Sequence, residues 1–380
     1  RLGLRENDVV AYLLPNLPET HCVLWGSEAN GVVLALNPLL DAEALTTLLD
    51  QAGARALISL ANTPGVDLWQ KARAAIAASR SVEFLVAVDV GAYQKGLKRA
   101  ALSFAANLGR YQPLRNGKGK KIRGLSYHKL VRGCDSQQLQ RGDIAGEAPS
   151  SYFCTGGTTG LPKIAVRQHR HEVANALQMG LMVTDSIGED TAVFCGLPLF
   201  HVNAQMITGL LPWSRGARVV LGATQGYRDK GVIQHFWQIV ERYRLNFFSG
   251  VPTVYAALLQ VERGDSDISS LEMGLCGAAP MPVELFNHFQ RETGVQILEG
   301  YGLTEGTCAS ALNPPAGEKR IGSIGIRLPY QQFCTVLLDE NGKYLRDAAV
   351  DEVGTIAISG PNIFQGYLSE QHNRDLWIET

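Results

Sequence analysis

The run from Ser151 through Tyr152, Phe153, Cys154, Thr155, Gly156, Gly157, Thr158, Thr159, Gly160, Leu161 and Pro162 to Lys163 has the composition to bind an anion. Glycines allow successive backbone N–H groups to point into one concavity and form an anion nest. The threonine hydroxyls add donors, and Lys163 adds a mobile positive charge. Each charge-assisted hydrogen bond to a phosphate contributes ~1.5–3 kcal/mol, so several together suit a triphosphate. The run is not a Walker A loop, which needs Gly-Lys-Ser/Thr leading directly into a helix. Here Leu161 and Pro162 intervene and Ile164–Gln168 reads as a strand, so the loop joins two strands. The plainer reading is a Gly/Thr hairpin tip.

A second cluster is Glu299, Gly300, Tyr301, Gly302, Leu303, Thr304, Glu305 and Gly306, directly after a strand-like run at Val295–Leu298. Its glycine spacing, G-x-G-x-x-x-G, departs from the dinucleotide fingerprint. Glu305 stands where a carboxylate would repel a pyrophosphate unless a cation bridged them, which points to a Mg²⁺ ligand. Tyr301 offers a flat face for a purine and Thr304 a hydroxyl for a phosphate. Gly277, Ala278, Ala279 and Pro280 end another strand-like run with little side chain, so a flat ligand could approach the backbone. His201, in Pro198-Leu199-Phe200-His201-Val202-Asn203, reads either as a satisfied core histidine or as a group near a substrate carboxylate. His171-Glu172 followed by Asn175 lacks the last ligand of HExxH, which excludes that zinc-protease motif.

The elements that must position these residues read as α/β. Asp8–Leu14, Val32–Leu36, Arg55–Leu60 and Val82–Val88 are strand-like, with helical patterns at Glu19–Asn30, Asp41–Asp50 and Asp67–Ser79 between them. Such alternation indicates βαβ units and a parallel sheet. A second series has strands at Ala192–Cys195, Arg218–Leu221, Asn246–Phe248, Leu271–Cys276 and Val295–Leu298. Its helical patterns lie at Val232–Tyr243, Thr253–Val261 and Val283–Thr293. Later, Phe333–Leu338, a turn at Asp339–Gly342 and Gly354–Ser359 suggest short antiparallel strands. The expected architecture is two βαβ-type lobes, with mostly parallel sheets flanked by helices, plus a small partial antiparallel β unit. The expected boundaries are 1–185, with a basic insertion at 91–148 and the loop at 155–163; 186–318, with the segment 299–306; and 319–380, part of a β-barrel.

Composition narrows the partners. The 380 residues are 46% hydrophobic and only 19% charged, which suits a large core. A net charge of −1 gives no whole-molecule attraction for nucleic acid. Seven cysteines without a CxxC pair suit a reducing cytoplasm. The charge-free stretch Thr191–Ser214 contains Pro198, His201, Asn203, Gln205 and Pro212, so it reads as a buried element, not a membrane span. Between Asp89 and Asp135 lie eleven Lys/Arg and no acidic residue. The segment reads as a solvated loop, or else as a docking patch for a cofactor phosphate or lipid headgroups.

Four motifs in order give the chain its resemblance. Thr155–Lys163 (TGGTTGLPK), Pro198–His201 (PLFH), Gly277–Pro280 (GAAP) and Tyr301–Glu305 (YGLTE) resemble those of the adenylate-forming superfamily of acyl-CoA synthetases, luciferases and peptide-synthetase adenylation domains. Gly322–Gly325 (GSIG) and Gly354–Tyr367 also fit. The resemblance implies ATP-dependent activation of a carboxylic acid, fatty or otherwise apolar, to acyl-AMP, followed by thioester formation with coenzyme A. Alternatives are loading of a carrier protein and a non-catalytic nucleotide-binding module.

By the same resemblance, Thr155–Lys163 holds the β- and γ-phosphates, and Gly277, Ala278, Ala279, Pro280, Glu299, Gly300, Tyr301 and Gly302 surround the adenylate. Thr304 contacts the α-phosphate. Glu305, with Thr158, ligates Mg²⁺, and His201, Asn203, Phe248 and Gly250 shape the acyl pocket together with the Phe247–Gly250 strand end. Thr304, Glu305, Lys163 and His201 are the implied catalytic groups. Ile164 stands where the family usually has glycine. The family's ribose-binding aspartate, hinge and C-terminal lid with its catalytic lysine are expected beyond residue 380, and a further stretch before residue 1. The 380 residues alone are therefore expected to have little complete turnover. Peripheral membrane contact and a homodimer are compatible with this reading.

Overall fold

The computed structural model describes residues 2–134, 143–155, 160–184, 186–374 and 376–379. The chain divides into two compact units, Arg1–His169 and Arg170–Thr380.

The first unit is built on strands β1 (Val9–Leu13), β2 (Val32–Ala35), β3 (Ala54–Leu60), β4 (Phe84–Val88), β5 (Arg123–Ser126), β6 (Pro149–Cys154) and β7 (Ile164–Gln168). They run in the order β7-β6-β2-β1-β3-β4-β5. All neighbours are parallel except β6 and β7, which form an antiparallel pair with Cys154 opposite Ile164. The crossovers are α1 (Pro18–Glu28), α2 (Ala42–Gln51) and α3 (Leu68–Ala78). Asp41 caps α2 by accepting from the Ala44 N–H at 2.8 Å, the signal that its sequence position announced. Buried β1 and β2 are continuous apolar runs, as a strand covered on both faces must be.

The basic segment departs from the expected loop. It forms α4 (Gly96–Tyr111), then β5 and a short α5 (Tyr127–Val131). Alanine and leucine dominate α4, and their helix propensity outweighs the local density of positive charge.

In the second unit, β8 (Ala192–Cys195), β9 (Arg218–Leu221), β10 (Phe247–Gly250), β11 (Met273–Cys276) and β12 (Gln296–Tyr301) are parallel, in the order β12-β11-β10-β8-β9. Strands β13 (Ala311–Leu312) and β14 (Ile326–Arg327) extend the β12 edge in antiparallel fashion. Strands β8, β10, β11 and β12 each divide their side chains between two cores. Phe194, Phe248, Cys276 and Ile297 join one, while Val193, Phe247, Leu275 and Leu298 join the other. The two-residue period of a strand makes this division unavoidable.

Helix α6 (His169–Met182) opens the unit. The charge-free stretch is a buried element, as expected: β8, a connection, then α7 (Val202–Gln205), a π-helical turn (Met206–Leu210) and α8 (Leu211–Ser214). Among the described residues no helix is long and apolar enough to cross a membrane. The pattern at Val232–Tyr243 is two helices, α9 (Lys230–Gln234) and α10 (Phe236–Tyr243), because His235 leaves helical geometry at φ −111°, ψ 16°. Helices α11 (Pro252–Leu259) and α12 (Val283–Thr293) follow the sequence pattern closely.

The antiparallel unit consists of β15 (Gln332–Leu338), β16 (Tyr344–Asp347) and β17 (Thr355–Ser359), with β15 in the centre. The Asp339 carboxylate accepts from the N–H groups of Asn341 and Lys343 and closes the β15–β16 turn, where Gly342 has φ +77°.

Candidate functional site: a cavity running from an apolar wall to a glycine edge

Within the second unit a cavity with about 820 Å³ of empty space, its mouth included, lies beside the C-terminal ends of the parallel strands. Open α/β sheets place ligands at this end. One wall is apolar, with Met179 and Val183 at the α6 end, Ile207 and Leu211 from the helix through the π-turn, and Phe247 and Leu328. The lining also has an edge of nearly bare backbone, Gly277, Ala278, Gly300 and Gly302, with the Tyr301 ring beside it.

Local geometry explains this edge. Ala278 sits in the left-handed region at φ +67°, which costs energy for a residue with a Cβ and persists only where the surroundings impose it. A Cβ on Gly302 would lie 1.7 Å from the Cys308 carbonyl oxygen, so the chain can pass there only as glycine. The Tyr301 ring meets Phe333 edge-on at 6.1 Å, which fixes the orientation of its face.

The next turn carries Thr304 and Glu305 in a 3₁₀ helix, Thr304–Gly306, and it is held from several sides. The Tyr367 hydroxyl donates to the Glu305 carboxylate. Burial first, then that carboxylate, push the Tyr367 pKa well above its ordinary value, so the phenol keeps its proton. The Phe364 N–H donates to the Glu305 carbonyl at 2.9 Å. Thr307, at φ +69°, donates its hydroxyl to the Asn362 carbonyl at 2.6 Å, and Asn362 Nδ2 donates to the Gly306 carbonyl at 2.8 Å.

Behind the turn lies a buried amide network that sequence reasoning missed. Asn175 both donates to the Ala309 carbonyl and accepts from the Ala309 N–H, at 2.8 and 3.1 Å. Gln178 accepts from Asn175 and Gln331 and donates to the Asn362 side chain. The available signal was the run of polar residues at helical spacing on α6, His171, Glu172, Asn175 and Gln178, all of them buried beside Ala176 and Met179.

The other singled-out residues distribute as follows. Asn203 lines the cavity and donates to the Ser249 hydroxyl at 3.0 Å. His201 is exposed and lies 4.4 Å from the Phe200 ring; crowding by protein around the imidazole, then the Arg228 guanidinium, lower its pKa. Ala279 and Pro280 are exposed just beyond Ala278. Glu299 is buried, its carboxylate accepting from the Gly322 N–H at 2.7 Å and so tying β12 to the GSIG segment.

Phe248 requires correction. It packs with Phe236, Tyr255 and Phe289 in the core on the far side of the sheet, and Phe247 faces the cavity instead. A one-residue step along a strand reverses the face. Gly250 ends β10, where Val254 and Tyr255 would crowd a Cβ at 3.3 Å.

In the first unit, the Thr155 N–H donates to the Lys163 carbonyl at 2.9 Å and closes the loop between the antiparallel β6 and β7. Gly160 has φ +118°. Gly156, Gly157, Thr158 and Thr159 lie outside the described residues.

Comparison with known proteins identifies the family and the fold. The model of the family described as AMP-binding enzyme matches residues 1–368, and the chain belongs to that family. It is 35% identical over 382 residues to a marinolic acid–CoA ligase of Pseudoalteromonas sp. (strain SANK 73390), covering 100% of this chain and 54% of that protein. It is 27% identical over 389 residues to a long-chain-fatty-acid–CoA ligase of Salmonella typhimurium, covering 100% and 66%. The chain thus spans between about half and two thirds of the length of these relatives. Among solved structures, an anthranilate CoA ligase in complex with anthranoyl-AMP shares the fold with a TM-score of 0.77 at 22% identity, over 98% of this chain and 64% of that one. A long-chain-fatty-acid-CoA ligase from Archaeoglobus fulgidus gives 0.73 at 19%, over 98% and 67%.

Proposed function

We propose that this protein activates an apolar carboxylic acid with ATP and passes the acyl group to coenzyme A. One observation carries the reading: the cavity has an apolar wall that suits a hydrocarbon and a glycine edge that suits a planar base and its phosphate. A carboxylate does not acylate a thiol at neutral pH, because oxide would have to leave. In the first step a carboxylate oxygen bonds to the α-phosphorus while the bond to pyrophosphate breaks. In the second step the coenzyme A thiol bonds to the acyl carbon, AMP departs with the electron pair, and the thiol proton is released. Positioning and charge neutralisation are the protein's contributions to both steps.

Residue roles follow from chemistry and place. Gly277, Ala278, Gly300 and Gly302 admit the flat base, with Tyr301 as its stacking face. Thr304 offers a hydroxyl to the α-phosphate. The loop from Thr155 to Lys163 is a phosphate loop, and Lys163 supplies its positive charge. Glu305 fits a Mg²⁺ ligand: Mg²⁺ takes one or two carboxylates and completes its shell with phosphate and water. Bound there, Mg²⁺ would neutralise phosphate charge. His201 and Asn203 stand at the start of the cavity-lining helix, where the acid's carboxylate would pass. The boundaries 1–185, 186–318 and 319–380 belong to the same reading, as does a cytoplasmic setting suited to cysteines without CxxC spacing.

Two assays on the natural full-length protein test the reading. Acid-dependent exchange of pyrophosphate into ATP should rise with the chain length of the acid, and thioester should form with free coenzyme A. Exchange without any acyl-coenzyme A would point to a carrier-protein acceptor. ATP·Mg²⁺ binding without exchange would overturn the enzymatic reading.

A further inference from the structure

Helix α4 presents to solvent a face that an ordinary surface helix would turn inward. Leu97, Ala101, Phe104, Leu108 and Tyr111 recur at i, i+4, i+7, i+11 and i+14, which puts them in one stripe along the helix. Leu97 is 91% exposed, Phe104 70%, Leu108 56% and Tyr111 72%. The opposite side is already used. Ala106 and Gly109 are buried, a Cβ on Gly109 would lie 2.6 Å from Asn62 Cβ, and Ser103 donates to Asp89 at 2.9 Å. The helix cannot roll to hide the stripe without breaking those contacts.

Charge selects what covers it. From Val90 to Cys134 the chain has eleven basic residues and no acidic one. Lys95, Lys98 and Arg99 are exposed around the start of α4, and the Arg110 guanidinium stacks on the Tyr111 ring at 4.8 Å near its end. A second copy docked stripe to stripe would bring basic surface against basic surface. An anionic bilayer satisfies both features, because leucine and phenylalanine enter the acyl boundary while lysine and arginine meet the headgroups.

We infer that α4 is a membrane-surface helix that seats the first unit on anionic lipid. The inference rests on the first unit alone and needs neither nucleotide nor acid, so it stands or falls separately from the proposed activity.

The test is co-sedimentation of the full-length protein with phosphatidylglycerol/phosphatidylcholine vesicles and with phosphatidylcholine vesicles. Binding should require the anionic lipid and be lost at high salt. The double variant Phe104→Ser/Leu108→Ser should lower partitioning about tenfold or more. Lys98→Gln/Arg99→Gln should lower it about 25-fold, at roughly fivefold per basic residue removed. Unchanged melting temperatures would confirm that both variants fold. The inference is overturned by no vesicle binding, by equal binding of wild type and both variants, or by a dimer that Phe104→Ser/Leu108→Ser dissociates.

Discussion

Glu305 is held through its carboxylate by Tyr367 and through its carbonyl by the Phe364 N–H, on a turn that Asn362 and Thr307 brace from behind. A carboxylate positioned in this way loses little freedom on meeting a cation, which suits the Mg²⁺ role proposed for Glu305. Glu305→Gln should lower acid-dependent pyrophosphate exchange by about 10²–10³-fold with an unchanged melting temperature. Tyr367→Phe, which keeps the ring and removes the donor, should cost about 10–100-fold in the same assay. Gly302→Ala should behave differently. Its Cβ collides with the Cys308 carbonyl, so both the melting temperature and exchange should fall. The motif residues were legible in the sequence because their side-chain chemistry is local. The bracing residues were not, since Asn175 and Asn362 reach the turn from positions 134 and 56 residues away along the chain.

At the scale of elements, β10 separates stability from specificity in two adjacent residues. Phe248 is fully buried among Phe236, Tyr255 and Phe289, whereas Phe247 faces the cavity. Phe248→Ala should destabilise the protein by about 3–5 kcal/mol in urea unfolding and leave the preference among acids unchanged. Phe247→Ala should enlarge the cavity and shift kcat/KM toward bulkier acids. Equal effects of the two substitutions on acid preference would contradict the assignment of faces.

The sequence located β10 to within two residues but not which phenylalanine faced which core, because both faces of a parallel sheet are buried and the run does not alternate. The π-turn at Met206–Leu210 was equally hidden. Nothing in Met206, Ile207, Thr208, Gly209 or Leu210 announces a π-turn, and the local backbone, with Thr208 at φ −109°, ψ 18°, emerges only when the helix is packed. Helix α4 was hidden for a different reason: its dense positive charge fits a solvated loop, and only its alanine and leucine content favours a helix.

On the scale of the whole molecule, acid stability should carry the mark of His21. Burial lowers its pKa from 6.5 to about 4. As pH falls below 6.5 the unfolded chain takes up a proton that the folded protein refuses, so this contribution is complete above pH 6.5 and is lost toward pH 4. The loss amounts to about 3 kcal/mol, at roughly 1.4 kcal/mol per pH unit. Urea midpoints measured between pH 7 and 4 should fall accordingly, and His21→Leu should flatten that slope.

The sequence by itself determined the order of α/β elements, the places where backbone must stay bare and the groups that carry charge. These depend on residue type and on spacing within one turn or strand. Only the tertiary structure decided that Met179 and Val183 of α6, Ile207 beside the π-turn and Phe247 of β10 would line one cavity with Gly300 and Tyr301. It also decided that Tyr367, Phe364, Thr307 and Asn362 would brace the Glu305 turn through hydrogen bonds. Contacts between distant segments depend on which faces the sheet turns toward each other, and no local pattern encodes that choice.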